Sequence, residues 1–163
     1  MHALQIVVDN LQDWQPYYPT SELISAENYL SSPVSGPDSK TRVINLCADY
    51  AYLSSGYYCS LLAEARGQRV IPSIRSINDL ANHHYYRLYD NDLNLHLDKC
   101  TTPDISALQI KIFFGQASHP GLEKIARRLF ELYPCPILIV ELIRRERWEI
   151  QCIKPGMLTA LND

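Results

Sequence analysis

The segment CADYAYLSSGYY, Cys47 to Tyr58, is where this sequence could do chemistry. Asp49, Tyr50, Tyr52, Ser54, Ser55 and Tyr57 supply carboxylate, hydroxyl and phenol groups, with Gly56 among them. The segment follows an apolar run and leads into a helical pattern. It therefore belongs at the carboxyl end of a strand and at a helix N-terminus, where ligands settle in open α/β sheets and free N–H groups favour anions. A structural account of the same residues stands beside this one: Ser54 or Ser55 caps the helix, Asp49 holds an Asx turn, and the tyrosines pack.

Nothing else in the chain reads as a complete catalytic or metal site. Gly56 lacks the GxxxxGK[ST] or GxGxxG context of a phosphate loop, and SSGYY does not match GxSxG. Cys47 with His119 would make a thiol nucleophile and base, but no sequence feature brings them together. His83 and His84 are neighbours, and on a helix neighbours point about 100° apart, so they do not converge on a metal. His84 falls on an apolar face, His96 on the wet side of an expected strand, and His119 before Pro120 at a helix start. Arg144, Arg145 and Arg147, interrupted by Glu146, read as a solvated hairpin tip that could meet a partner domain.

The elements that must position these groups follow from periodicity. Leu4 to Asp9 is an apolar, β-branched strand, and the proline-rich stretch through Trp14, Pro16 and Pro19 suits neither regular element. Ser25 to Leu30 reads as a short helix, and Ser31 to Lys40 as an exposed loop. Arg42 to Cys47 is a strand, Asp49 to Ser54 a turn, and Ser55 to Arg66 a helix with Tyr58, Leu61, Leu62 and Ala65 on one expected core face. Gly67 ends that helix and Arg69 to Pro72 resumes as a strand, giving a βαβ unit with parallel strands. Ser76 and Asp79 resemble a capping box for a helix with Ile77, Leu80, Ala81, His84, Tyr85 and Leu88 on one side.

Leu93, Leu95 and Leu97 alternate with polar residues as in a half-wet strand, and Leu108, Ile110, Ile112 and Phe114 repeat that mark. A helix with Leu122, Ile125, Ala126, Leu129 and Phe130 inward follows, and Ile137 to Ile143 with Trp148 to Ile153 form a hairpin. The expectation is a single α/β domain over residues 1–163. It has about six strands in a mixed, mostly parallel sheet with a βαβ unit and a C-terminal antiparallel hairpin, covered by helices.

Composition narrows the function classes. A chain of 163 residues buries roughly two-thirds of its unfolded surface, so one core suffices. No apolar run approaches the length a bilayer requires and MHALQIVVDN carries no secretory signal, so the expected location is the cytoplasm. Five scattered cysteines without a CxxC pair fit reduced thiols. A net charge of −3 argues against nucleic-acid binding. The 11 tyrosines suit either core edges or a surface for ligands, partners or a second copy.

Asn45 to Ile74, and within it the string GYY-x-SLLAEARG-x-RVIP from Gly56 to Pro72, resembles the N-terminal domain that precedes the ATP-grasp domain in RimK-like ligases. Looser similarity extends to the opening strand, to Ile110–Gln116, and to the helix and two strands after it. The resemblance implies an α/β module fused to, or working beside, a ligase that activates a carboxylate with ATP and Mg²⁺ and joins it to an amine. It places ATP and Mg²⁺ in the ATP-grasp domain, which this sequence does not contain, and carries over no catalytic residue. It implies a role in substrate recognition, domain docking or homodimerisation. Two alternatives remain open at this point: a small stand-alone enzyme or ligand-binding protein using the Cys47–Tyr58 turn, and an interaction module built on the tyrosines. Members of the family that it resembles often carry a basic residue in the loop where this chain has Ala48 and Ala51, which weakens the case for anion capture.

Overall fold

A computed structural model of the chain describes residues 3–15, 17–33, 36–38, 40–82, 90–102 and 104–161. They form two compact units: Met1–Ile77 with Met157–Asp163, and Asn78–Gly156.

The first unit is built on a parallel sheet of β1 (Leu4–Val8), β2 (Leu23–Ser25), β3 (Arg42–Asn45) and β4 (Arg69–Ile71), in the order β2-β1-β3-β4. The expected βαβ unit is present: Val43 lies opposite Val70 and Ile44 opposite Ile71, with the strands parallel and α2 (Ser55–Ala65) between them. The short helix α1 (Ala26–Ser31) joins β2 to β3 and is capped by Ser25, whose Oγ accepts from Asn28 N. Val7, Val43 and Cys47 on the sheet pack against Ala26 and Tyr29 of α1 and Cys59 and Ala63 of α2. The strand β2 is a finding the sequence did not announce, because three residues behind a proline-rich stretch carry no readable period.

The buried face of α2 differs from the expected one. Gly56, Cys59, Ser60 and Ala63 face the sheet, whereas Tyr58 and Leu61 are exposed and Leu62 is half-buried. Small side chains let the helix lie close to the sheet, so the large apolar residues that dominate a periodicity count turn outward. Gly67, at φ 74°, ends the helix as expected. The next helix, α3 (Ile74–Ala81), is capped three residues earlier than the Ser76–Asp79 pattern suggested: Ser73 Oγ accepts from Ser76 N at 3.1 Å. Ile77 and Leu80 are buried but Ala81 is exposed, and the expected continuation through His84, Tyr85 and Leu88 lies outside the described residues.

The second unit holds an antiparallel sheet, β6-β5-β7-β8, of β5 (Ala107–Phe113), β6 (Gln116–Ala117), β7 (Ile137–Arg144) and β8 (Trp148–Pro155). Ile110, Ile112, Leu138, Val140, Leu142, Trp148 and Ile153 form its core with Leu122 and with Ala126 and Leu129 of α5 (Glu123–Leu132). The expected alternation in β5, the amphipathic α5 and the closing hairpin are all present. The expected strand through Leu93, Leu95 and Leu97 is instead helix α4 (Asp90–Cys100). Leu97 is fully buried and Leu95 is 60% exposed, which a one-faced strand cannot combine. Three alternating leucines are too short a sample to separate the two periods, and Asn94 settles the matter by bonding both backbone groups of Trp148.

The chain is thus α/β, with the βαβ unit and the hairpin in place. The parallel and antiparallel pairings sit in separate four-stranded sheets rather than in one mixed sheet, since α3 and α4 occupy the stretch between β4 and β5. Among the described residues there are eight strands and five α-helices, because β2 and β6 are too short to read from sequence and α4 replaced a strand.

Candidate functional site

Strand order decides where a ligand or partner would meet the first unit. The chain runs from β1 outward to β2, then returns past β1 to β3 and on to β4. The direction reverses between β1 and β3, so their carboxyl ends form a topological switch point. Asp9 lies at the end of β1, and its Oδ2 accepts from Ala48 N at 2.7 Å, tying the two loops together. Sequence reading missed Asp9; its signal was a carboxylate directly after a buried apolar strand.

Below this link lies a buried polar network. Asn45, with no exposed surface, accepts from Cys47 N at 3.2 Å and donates from Nδ2 to Gly56 O at 2.7 Å and Ser60 Oγ at 2.9 Å. Ser60 Oγ donates to Pro72 O at 2.7 Å, and Tyr50 Oη to Asn45 O at 2.6 Å. One asparagine and one serine therefore lock the end of β3, the first turn of α2 and the exit of β4. Neither was singled out in the sequence; each is a polar residue inside an apolar or small-residue run, and buried polar groups of that kind must find partners.

The turn divides the expected site residues into two sets. Asp49 holds an Asx turn, its Oδ1 accepting from Ala51 N at 2.8 Å. Ser54 caps α2, accepting from Tyr57 N at 3.2 Å and donating to Asp49 O at 2.9 Å. Tyr50 and Gly56 are buried, and a Cβ on Gly56 would fall on the Asp49 carbonyl oxygen. Tyr52 is 76% exposed, Ser55 is exposed and Tyr57 half-buried, and the Tyr52 and Tyr57 rings meet edge to face at 5.5 Å. Leu53 is 61% exposed at φ 74°, a left-handed backbone that costs an ordinary side chain about 1–2 kcal/mol. The polar groups thus hold the turn, and what the turn presents outward is largely aromatic and aliphatic.

The other candidate residues are placed as follows. Cys47 is fully buried, and a hydrogen bond with the Cys59 thiol, then burial, push its thiol pKa up, which is the opposite of an activated nucleophile. His119 is exposed on the second unit, and His83 and His84 lie outside the described residues. Arg144 pairs with Asp98 at 2.9 Å and lies 5.6 Å from the Trp148 ring, while Arg145 and Arg147 are exposed at the hairpin tip. Among the described residues no group of three or more His, Cys, Asp or Glu could hold a metal ion. No helix among them is long and apolar enough to cross a membrane.

Arg66 and Gln68, at the end of the helix in the string GYY-x-SLLAEARG-x-RVIP, are likewise engaged in structure. The Arg66 guanidinium is buried, donates to Tyr29 O at 3.2 Å and Ser32 O at 2.7 Å, and stacks 4.9 Å over the Tyr29 ring. It thereby supplies positive charge and donors to the carboxyl end of α1. Tyr29 Oη donates to Gln68 Oε1 at 2.6 Å and Gln68 Nε2 to Asp38 at 3.2 Å. Bonds from Thr41 and Gln68 hold the Asp38 carboxyl below its ordinary range.

The first unit is thus a parallel α/β module whose buried polar residues hold its strands and helices together. The chain belongs to the family of the RimK-like ATP-grasp N-terminal domain, whose model matches residues 26–163. No curated protein matches the chain.

Proposed function

We propose that this chain is an accessory N-terminal module of an ATP-grasp carboxylate–amine ligase, carrying no catalytic group itself and serving substrate recognition, docking or dimerisation. The family match over residues 26–163 carries this reading. The internal bonding of Asn45, Ser54, Ser60 and Arg66 supports it, because these polar residues of the family-like stretch Asn45 to Ile74 are engaged in holding the first unit together. ATP and Mg²⁺ then belong to the ATP-grasp domain, joined to this chain or made by a neighbouring ligase. The module works in the cytoplasm, where such a ligase finds its nucleotide.

The alternative of a stand-alone enzyme using Cys47 is disfavoured by the burial and raised pKa of that thiol. Calorimetric titration of the isolated chain with Mg-ATP is expected to give no specific heat of binding. ADP release by the ATP-grasp polypeptide with its acid and amine is expected to rise, or to become selective, when the chain is present. Tight nucleotide binding by the chain alone, or ligase turnover indifferent to it, would refute the reading.

A further inference from the structure

We infer that the exposed face formed by Tyr52, Leu53, Tyr58 and Leu61 is the surface on which the ATP-grasp domain docks, and that the docked surface offers an apolar centre rimmed by Lys and Arg. This rests on the accessory-module reading above and names the partner surface it needs.

The four side chains are 76%, 61%, 40% and 41% exposed, and the Tyr52, Tyr57 and Tyr58 rings run on from one another at 5.5 and 6.0 Å. Leu61 follows Tyr57 and Tyr58 at i+4 and i+3 on the same side of the helix, and exposed large apolar side chains grouped in this way suit an interaction surface. Leu53 is held there in a left-handed backbone, a conformation no buried contact of its side chain rewards.

Charge chooses the occupant. Residues 9–33 and 43–65 contain no Lys or Arg, while Asp9, Asp13 and Asp49 lie on the loops at the carboxyl end of the sheet. A second copy docking through the same face would bring two patches of the same negative sign together, because an isologous contact uses one patch on both copies. A basic-rimmed partner meets them with opposite sign. The 3-10 helix Leu158–Leu161 returns to the first unit, where Tyr17 Oη donates to Leu158 O at 3.0 Å. It packs on the 3-10 helix Leu11–Trp14 that leaves the end of β1. Residues 158–161 thus lie by the end of β1, the same carboxyl end of the sheet to which the Tyr52–Leu53 turn belongs.

Hydrogen–deuterium exchange should be compared for the chain alone and with the polypeptide that bears its ATP-grasp domain. Slower exchange over residues 52–61 is expected, together with binding that weakens as salt rises. The double variant Tyr52→Asp, Leu61→Asp should melt as the wild type does, since both side chains are on the surface, and should raise Kd roughly tenfold or more. Protection confined to other residues, or equal binding by the double variant, overturns the assignment of the surface while leaving the accessory role standing. No complex with the wild type overturns both. Self-association abolished by the same variant would make the occupant a second copy and overturn the proposal.

Discussion

Gly56 shows how little freedom the first turn of α2 has. A methyl group there would collide with the Asp49 carbonyl oxygen and lie 2.9 Å from the Cys47 Cβ, and neither neighbour is the loose end of a side chain. Gly56→Ala is therefore expected to cost about 2–4 kcal/mol, read as a lower midpoint in denaturant unfolding. An unchanged midpoint would mean that the turn relaxes freely. At this scale the sequence was partly legible. Asp49 and Ser54 do what an Asx turn and an N-cap predict, because such bonds are local in sequence. Asp9, Asn45 and Ser60 were not legible as a group: Asp9 binds a residue 39 positions away and Ser60 a carbonyl 12 away, and no periodicity encodes such distances.

At the scale of elements, period and amplitude carry different information. The alternation in β5 and the inward face of α5 followed directly from the sequence, since large apolar residues there do face the core. In α2 the same logic selected the outer face, because close approach to the sheet demanded Gly, Cys, Ser and Ala. In α4 it selected the wrong element altogether. Asn94 is the residue that now identifies that helix: its Oδ1 accepts from Trp148 N at 2.5 Å and its Nδ2 donates to Trp148 O at 3.2 Å, so it stands in for a neighbouring strand at the start of β8. Trp148 is wholly buried and its indole N–H has no hydrogen-bond partner among the described residues. Asn94→Ala would leave a second unmet donor on the same residue and is expected to lower stability by about 1–3 kcal/mol. The check is a chemical denaturation curve, together with faster amide exchange at the beginning of β8. Loss of neither stability nor protection would show that water replaces the asparagine without cost.

At the scale of the whole molecule, the family match and the architecture do not share a boundary. The match opens at residue 26, yet β1 is an inner strand bonded to both β2 and β3. A fragment beginning at Ala26 would leave β3 with an open side and remove Val7 and Val8 from the interior. Such a fragment is expected to lose cooperative unfolding in the first unit, seen as collapse of amide protection in residues 42–71. Retention of that protection would mean that β3 and β4 stand without β1. The α/β class was legible because strand–helix–strand alternation is written locally; the division into two sheets was not, because it depends on which edges remain unpaired.

The return of residues 157–161 to the first unit makes that unit discontinuous in sequence, with the second threaded through it as an insert. A ribosome delivers the four parallel strands early, but the piece that brings in the buried Leu158 comes out after the whole antiparallel sheet has been made. Nascent chains arrested before Met157 should therefore be digested by protease within their first half, while those arrested well past Leu161 should resist. The strands made first wait for a segment made only after the second unit is complete.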